Sequence, residues 1–409
     1  MALELYVHIP FCVKKCGYCD FVSAPAADAV QDAYVKALLQ EIRSAGQKDQ
    51  VSSIFIGGGT PSIIKAEHIE AILSCIRQEF AVEEDAEVTL EANPGTLTAE
   101  KLAVYRRAGI NRLSIGLQSA NDEELALLGR IHTFREFQES YRLAREAGFQ
   151  NINVDLMAAL PYQTEESFER SLRAVTELAP APPEHISVYS LIIEEGTTFY
   201  EKYHSQAEAR EAGSEDTAPL PTEEEERTMY RRTRELLEGC GYERYEISNY
   251  ARPGFVCRHN VGYWTGVPYL GFGISSSSYI GGKRFSNGRS LKEYLTAMKE
   301  ARPLETIRVD EEVVEEERAM EEFMFLGLRL MRGVSEKEFK RRFGRSMEEV
   351  YGTVLETMEK RGLMEMTAPA TREKREERID GDASQKDRLW RLTEEGIDVS
   401  NYVMAEFLL

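Results

Sequence analysis

The sequence predicts an α/β protein, in which a full or partial (β/α) barrel of the TIM type over residues 1–295 precedes a small helical domain over residues 305–409. Three observations lead to this fold class. Short apolar segments alternate with helix-length amphipathic patterns, which is typical of parallel sheets with right-handed crossovers. The alternation occurs at least six times, enough for much of a barrel. Cysteine-containing and glycine-rich stretches directly follow the apolar segments, where barrels of this kind carry their chemistry.

The individual elements follow in chain order. Apolar runs bounded by turn residues predict strands at 3–9, 52–56, 87–91, 112–117, 151–156 and 185–191. Helical spacing between these runs predicts helices near 28–45, 66–79, 98–108, 134–147 and 165–178, with further helices near 223–239 and 311–331.

Two polar stretches interrupt the pattern. Residues near 204–226 are acidic and poor in large apolar side chains, and residues near 367–386 are also strongly polar. Both are predicted to be insertions, and the first is predicted to be mobile. The C-terminal domain shows a sequence of helix, helix, strand, strand and helix around the second insertion, which is a winged-helix-like plan.

The composition excludes some classes of function. The 409 residues carry a formal net charge of −20, with 29% charged and 42% hydrophobic residues. This charge argues against a nucleic-acid partner and against binding to an anionic membrane. No apolar run reaches the roughly 18 residues of a transmembrane segment. The N-terminal residues lack the features of a secretion signal, so the predicted location is the reducing cytoplasm.

The most distinctive motif is the loop after the first predicted strand, "CVKKCGYCDF", which holds three of the six cysteines at positions 12, 16 and 19. A disulfide is disfavoured in a reducing compartment. A zinc site needs a fourth ligand, for which His8 would have to turn out of the strand. A thioredoxin-like pair would use Cys16 and Cys19 and leave Cys12 without a role. An iron–sulfur cluster takes thiolate ligands, and three of them leave one iron open for another ligand.

Other polar and flexible residues follow the next strands. "GGGTPS" (57–62) could let backbone groups approach a ligand closely, although a tight turn is an alternative and the lysine of a phosphate-binding loop is missing. Glu91, Gln118 and Asp155 end strands or follow them, so they could bind a ribose or a cationic ligand. Arg130 could bind a carboxylate. Each of these four could instead be a solvated surface residue.

Together, Cys12-x3-Cys16-x2-Cys19, the aromatic Tyr18 before the last cysteine, and "GGGTPS" after the second strand resemble the radical S-adenosylmethionine (SAM) superfamily. The resemblance implies a [4Fe–4S] cluster on the three cysteines. It also implies that SAM is bound through its amino and carboxylate groups at the open iron.

Longer motifs resemble the oxygen-independent coproporphyrinogen III oxidase family: "YVHIPFC", "EANPGTL", "RLSIGLQS", "LGRIH" and "NVDLMAALPYQT". The resemblance covers roughly residues 3–295 and continues more weakly to the C-terminus. It implies that Tyr6 lies near the cluster. The SAM contacts that it implies are Gly58, Gly59, Thr60, Glu91, Gln118, Arg130 and Asp155.

Two departures from the oxidase resemble the haem-chaperone branch of that family, the HemW branch. Phe21 stands where the oxidase loop has a further cysteine, and "HNVGYW" (259–264) follows downstream. This resemblance implies haem or porphyrin as cargo and haem-accepting proteins as partners, with Phe21 near the cofactors. His259 is then a candidate for haem placement or ligation, and Cys257 is the alternative ligand. The neighbouring aromatic residues that could line a porphyrin are Tyr263, Trp264, Tyr269 and Phe272.

The resemblance therefore implies a HemW-like haem chaperone that binds a [4Fe–4S] cluster, SAM and haem. Two alternatives remain at this point. One is oxidative decarboxylation of coproporphyrinogen III by a radical mechanism, although Phe21 leads us not to expect this activity. The other is a structural or regulatory iron–sulfur protein. Whether the protein is an enzyme remains open.

Overall fold

The computed structural model describes residues 2–46, 49–367 and 387–409, and the chain forms two compact units. The first unit comprises Met1–Glu243, Ser248–His259 and Pro268–Glu312. The second comprises Arg244–Ile247, Asn260–Val267 and Val313–Leu409. The second unit thus includes two short stretches that lie within the predicted first domain.

Six strands of the first unit form a parallel array, in which each strand pairs with the next along the chain. They are β1 (Ala2–Ile9), β2 (Gln50–Gly58), β3 (Ala81–Ala92), β4 (Arg112–Gln118), β5 (Ile152–Ala158) and β6 (His185–Ser190). The helices between them are α1 (Asp28–Ala45), α2 (Ala66–Glu79), α3 (Ala99–Arg107), α4 (Asp122–Leu128), α5 (Phe134–Glu146) and α6 (Glu165–Thr176). The prediction of an α/β fold with a parallel sheet is confirmed.

Later strands extend this sheet on both sides, and helices connect them. In chain order these elements are α7 (Thr198–Glu211), α8 (Glu223–Gly239), β7 (Glu243–Glu246), β8 (Asn249–Ala251), α9 (Arg258–Thr265), β9 (Tyr269–Phe272), β10 (Ser277–Ile280), β11 (Lys283–Asn287), α10 (Leu291–Lys299) and β12 (Arg308–Val313). β8 pairs antiparallel with β6. β9 pairs parallel with β1, and β10 and β11 continue the sheet in antiparallel order. The antiparallel strands were not predicted from the sequence.

The strands separate two chemically different faces. On β1, Leu5, Val7 and Ile9 are fully buried and belong to the main hydrophobic core with residues of the surrounding helices. Because side chains alternate along a strand, Glu4 and His8 point to the opposite face. Buried polar residues continue on that face of the neighbouring strands. The sheet therefore has an apolar outer face covered by helices and a polar inner face.

The acidic stretch near 204–226 is partly helical. Residues 204–211 form the end of α7, which begins at a capping hydrogen bond from Tyr200 N to Thr197 Oγ1 of 3.1 Å. Residues 223–226 form the first turn of α8, where Thr222 and Glu225 make a capping box. The stretch predicted to be an insertion therefore has regular structure at both of its ends, and the helix predicted near 223–239 agrees with α8.

The second unit is mainly helical, as predicted. It contains α11 (Glu316–Gly327), β13 (Val334–Ser335), α12 (Glu336–Phe343), α13 (Met347–Lys360), β14 (Met364–Thr367), β15 (Leu389–Leu392), α14 (Glu394–Asp398) and α15 (Ser400–Ala405). Its three strands form a small antiparallel sheet in the order β13–β15–β14. The predicted insertion near 367–386 lies, except for its first residue, outside the described residues. Across the described parts of both units, no helix combines the length and apolarity that crossing a membrane requires.

Candidate cluster and SAM site

The loop that carries the three cysteines connects β1 to α1 and is fixed by backbone hydrogen bonds. Gly17 N donates to Leu128 O at 3.1 Å, and Phe199 N donates to Gly17 O at 2.9 Å. A side chain at position 17 would lie 2.8 Å from the Phe199 ring. The loop thus passes between the end of α4 and the start of α7, with no space for a residue larger than glycine.

The three thiols are free and partly exposed, whereas Cys75 and Cys257 are buried. Cys12 Sγ lies 3.3 Å from Thr60 Oγ1, and Arg130 Nη1 lies 3.8 Å from Cys16 Sγ. Burial raises the pKa of the Cys19 thiol, and the charges of the other two cysteines contribute to this rise. The three thiols are therefore close enough to influence each other.

Among the described residues, no three His, Cys, Asp or Glu side chains converge closely enough to hold a single metal ion. A cubane cluster does not require such convergence, because each thiolate binds a different iron. Three partly exposed thiols on one loop, with a hydroxyl and a guanidinium beside them, fit a [4Fe–4S] cluster better than a zinc ion.

The glycine-rich end of β2 lies beside the beginning of this loop. Gly59 N donates to Ile9 O at 2.9 Å, and Thr60 N donates to Phe11 O at 2.7 Å. Gly58 has a φ of +110°, which side chains rarely tolerate. A Cβ atom on Gly58 would lie 2.6 Å from the His8 ring, and one on Gly59 would lie 2.7 Å from Phe11 O. The segment is thus a backbone cradle whose shape excludes side chains.

A hydrogen-bonded arc joins this cradle to the cysteines through Asn93, a residue that sequence reasoning missed. Asn93 Nδ2 donates to Thr60 Oγ1 at 2.9 Å, and Asn93 Oδ1 accepts from Arg130 Nη2 at 2.8 Å. Since Thr60 contacts Cys12 and Arg130 contacts Cys16, Asn93 connects two of the three thiols. The only sequence signal was its position directly after β3, in "EANPGT".

Gln118 and Arg130, both predicted from the sequence, lie beside Asn93. A Cβ atom on Gly116 would lie 2.9 Å from Gln118 Nε2 and within 3.3 Å of both Arg130 and Asn93. Gln118 has a φ of +75° at an irregularity in the pairing of β4 with β5. The strained backbone of Gln118 places its side-chain amide near the other polar groups. Strained backbone conformations of this kind are common at binding sites.

The two predicted carboxylates, Glu91 and Asp155, are both held by hydrogen bonds. Glu91 Oε2 accepts from Gly58 N at 3.0 Å, and Asp155 Oδ1 accepts from Asn153 Nδ2 at 2.7 Å. Burial raises the pKa of Glu91 to about 8, and the charge of Asp155 contributes to the rise. Burial also raises the pKa of Asp155. A cationic ligand would lower both pKa values, because it favours the charged carboxylates.

Tyr6 and Tyr18 support the cysteine loop in different ways, Tyr6 from β1 and Tyr18 as a residue of the loop itself. The Tyr6 hydroxyl lies 3.1 Å from His8 Nδ1, and His8 Nε2 lies 3.0 Å from Val22 O. If His8 donates from Nε2 to this carbonyl, its Nδ1 accepts from Tyr6. Tyr6 therefore supports the loop through His8. Tyr18 packs edge-on against Phe199, with ring centroids 6.3 Å apart.

The structure does not bring His259 to this group. His259 is 1% exposed, its Nδ1 lies 2.8 Å from Ser53 Oγ, and its ring stacks on Phe55 at 5.2 Å. Burial, followed by the charge of Arg112, lowers its pKa to about 3. Ser53 and Gly58 are five residues apart on β2, which is about 16 Å along a strand. His259 thus lies near the amino ends of the strands, away from the cysteines at their carboxyl ends.

The alternative ligand Cys257 and the aromatic residues predicted to line a porphyrin have separate packing partners. Cys257 Sγ donates to Glu87 Oε1 at 3.3 Å in the interior. The Phe272 ring packs against Phe80, and Tyr269 packs against Tyr279. In the second unit, the Trp264 ring lies under the Arg329 guanidinium at 4.3 Å. These contacts distribute the predicted aromatic group over several packing clusters.

Comparisons with known proteins show the family to which the chain belongs. Residues 6–175 match the model of the radical SAM superfamily, and residues 314–368 match that of the HemN C-terminal domain. The chain is 39% identical to heme chaperone HemW of Bacillus subtilis over 88% of this chain and 92% of that protein. It is 34% identical to heme chaperone HemW of Lactococcus lactis over 99% of this chain and 97% of that protein. Among solved structures, coproporphyrinogen III oxidase (HemN) from Escherichia coli, a radical SAM enzyme, aligns with a TM-score of 0.78 and 25% identity over 99% of this chain and 90% of that one.

Proposed function

Since the chain belongs to the HemW family within the radical SAM superfamily, we propose that it is a haem chaperone. In this proposal it holds a [4Fe–4S] cluster and SAM and delivers haem to acceptor proteins in the cytoplasm. The observation that carries the proposal is the constellation at the carboxyl ends of β1–β5. Three free thiols, a glycine cradle, two partly buried carboxylates and an arginine meet there.

The residues that would hold the cluster are Cys12, Cys16 and Cys19, which would leave one iron without a protein ligand. Arg130 and Thr60 already contact two of these thiols. Hydrogen bonds to cluster sulfurs influence the reduction potential. These two residues would therefore stabilise negative charge on the bound cluster and fix the orientation of its ligands.

The cradle at 57–59 would receive the amino end of SAM through backbone carbonyl oxygens, because the glycines carry no side chains of their own and the N–H groups of Gly58 and Gly59 already donate to Glu91 Oε2 and Ile9 O. Glu91 and Asp155 would provide negative charge for a cationic ligand, and Arg130 would be available to its carboxylate. When bound at the open iron, SAM supplies radical chemistry to superfamily members. Gln118, turned toward Arg130, would add hydrogen bonds to the polar part of the ligand.

The chaperone is favoured over coproporphyrinogen oxidation by the comparisons and by the loop. The HemW relatives are 34–39% identical to the chain, whereas the oxidase structure is 25% identical. Phe21 is 63% exposed at the position where the oxidase family has cysteine. An exposed phenyl group offers contact area to an apolar cargo but cannot perform thiol chemistry.

The proposal can be tested on protein reconstituted anaerobically with iron and sulfide. We expect about four irons per chain, as for one cubane cluster, and a change in the EPR spectrum of the reduced cluster when SAM is added. Cys16→Ala should lose the iron, while the matched change Cys75→Ala should keep it, because Cys75 is a buried residue of α2 whose thiol donates to Leu39 O of α1. The protein should bind haem and should not convert coproporphyrinogen III. Conversion by the native chain that is lost in Cys16→Ala would establish the oxidase instead.

A further inference from the structure

Large apolar side chains are exposed on four loops around the cysteines. Phe21 lies in the cysteine loop, Ile131 follows α4, Tyr162 follows β5, and Ile192 follows β6. Their exposed fractions are 63%, 59%, 73% and 67%. Three of these loops extend from the carboxyl ends of β1, β5 and β6, and Ile131 lines one cavity with Cys16 and Arg130, so the four residues lie at the end of the sheet that carries the candidate site. We call these four side chains the apolar rim. Exposed apolar groups that cluster in this way mark a binding surface.

The loops that carry the rim are joined beneath it. A second hydrophobic cluster, separate from the main core, includes Leu128, Leu160 and Leu191, and Tyr18 packs against it. Each of these residues lies one to three positions before a rim residue in the sequence. Every loop therefore contributes one side chain to a shared buried cluster and presents another to solvent. This arrangement fixes the rim residues on one framework.

Tyr162 is held outward at an energetic cost. Its φ is +64°, a backbone conformation that is unfavourable for a residue with a bulky side chain. Its backbone N–H donates to Pro219 O at 2.7 Å, which fixes this conformation. Because the Tyr162 ring is 73% exposed, the strained backbone conformation does not serve to bury it. We take this exposed, fixed ring as a sign of a role in binding.

Cations border the rim on the side of the cysteine loop. Val13, Lys14, Cys16, Arg130 and Ile131 line one cavity. Lys14 and Lys15 are exposed and form no ion pair with any carboxylate among the described residues. Glu194 and Glu195 are exposed two and three residues after Ile192. The surface thus combines four exposed apolar side chains with two available ammonium groups in the cysteine loop and negative charge in the loop of Ile192.

We propose that the apolar rim is the docking surface for haem, with the carboxylates of the porphyrin directed toward Lys14 and Lys15. Haem matches this surface because it is a flat apolar ring with two carboxylates on one edge. An anionic membrane matches it less well, because the chain carries a net charge of −20 and acidic residues border the rim. This inference rests on the proposed function, since it locates the cargo of the chaperone.

The proposal predicts that recognition depends on the ring and its carboxylates more than on the iron. Protoporphyrin IX without metal should therefore compete with haem. Its dimethyl ester, which lacks the carboxylates, should bind more weakly. Replacing both lysines by glutamate should weaken the free acid about tenfold at low salt, and it should leave the affinity for the ester nearly unchanged.

The direct test is a haem titration of the full chain, followed by absorbance or by fluorescence quenching. Tyr162→Ser and Ile192→Ser lie outside the cysteine loop, and each should weaken haem binding about three- to tenfold. Val309→Ser and Tyr402→Ser remove exposed apolar residues elsewhere, with exposed fractions of 43% and 44%, and should bind haem like the native chain. The iron content of every variant is measured in parallel, so that a lost cluster is recognised.

The outcomes separate this inference from the proposed function. If the native chain binds haem and the rim variants bind it equally well, the rim is not the haem site, although the chaperone proposal stands. If the rim variants bind haem normally but fail to transfer it to an apoprotein, the rim is an acceptor-docking surface, and this inference is wrong. If the native chain does not bind haem at all, both proposals fail.

Discussion

Replacing Gly58 by alanine should damage the candidate site far more than the same change at a control glycine. Gly58 has a φ of +110°, and Gly148, directly after α5, has a φ of +87°. Alanine is unfavourable in both conformations. Only at Gly58 does the added Cβ atom meet another group, 2.6 Å from the His8 ring, whereas nothing lies within 4 Å at Gly148.

The expected magnitudes follow from these contacts. The backbone penalty common to both positions is about 1–2 kcal/mol. At Gly58 the His8 ring must also move, which disturbs its hydrogen bonds with Tyr6 at 3.1 Å and with Val22 O at 3.0 Å. Each such bond contributes about 1 kcal/mol. Gly58→Ala should therefore lower the free energy of unfolding by about 3–4 kcal/mol, against about 1–2 kcal/mol for Gly148→Ala.

The assay has two parts, which are urea unfolding of the apoprotein and SAM titration of the reconstituted protein. Gly148→Ala should bind SAM like the native chain. Gly58→Ala should bind it at least tenfold more weakly, because the methyl group displaces the His8 ring and His8 then no longer supports the cysteine loop through Val22 O. Equal destabilisation of the two variants, or native SAM affinity in Gly58→Ala, would refute the account of the cradle.

Three further predictions concern the interior and the arc. Asn93→Ala should shift the reduction potential of the cluster, measured by EPR redox titration, because Thr60 and Arg130 lose their common partner; an unchanged potential would show that the arc has no influence on the thiols. Burial raises the pKa of Glu4 from 4.5 to about 8, so native stability should fall as the pH rises between these values, and Glu4→Gln should lose this part of the decline in urea unfolding at pH 5 and pH 9. A parallel decline in Glu4→Gln would remove this assignment. His259→Ala should destabilise the protein by about 2–4 kcal/mol, because it leaves a cavity beside Phe55, and a haem spectrum that changes in the folded variant would restore His259 as a ligand candidate.

The parallel part of the fold could be predicted because its signal is strong and local. Each of the six strands is an apolar run that ends at turn residues, and the predicted helix at 66–79 agrees with α2 to the residue. The later strands β9–β12 escaped prediction because they are short and partly polar. β10, for example, is the four-residue segment Ser277–Ile280. Their stability comes from pairing with the sheet, which the local pattern does not encode.

The start of α7 is a second feature that could not be predicted from the sequence. Its contact with the cluster loop depends on Phe199, whose ring lies against Gly17. In the sequence Phe199 appears only as one aromatic residue before an acidic stretch. The long-range contact that gives it importance is invisible to periodicity.

Site residues could be predicted where the residue type is unusual after a strand. They were harder to predict where the residue type is common at that position. Cysteines and consecutive glycines after strands indicated the loop and the cradle. Asn93 did not stand out, because asparagine is common after strands. The proposed role of His259 in haem placement came from a motif, and the structure places this residue in a buried contact with Ser53. A motif identifies neighbours in sequence, but it does not show which way a side chain points.

The most direct test of the central claim is a measurement of haem transfer. The native chain is reconstituted anaerobically, loaded with one equivalent of haem and mixed with apomyoglobin, and the absorbance of the acceptor is followed. The chaperone account predicts stoichiometric transfer at a rate faster than that from free haem or from loaded Cys16→Ala. It also predicts that Cys75→Ala transfers haem like the native chain. Haem that stays on the native chain, or that transfers equally fast from Cys16→Ala, would contradict a cluster-dependent haem chaperone.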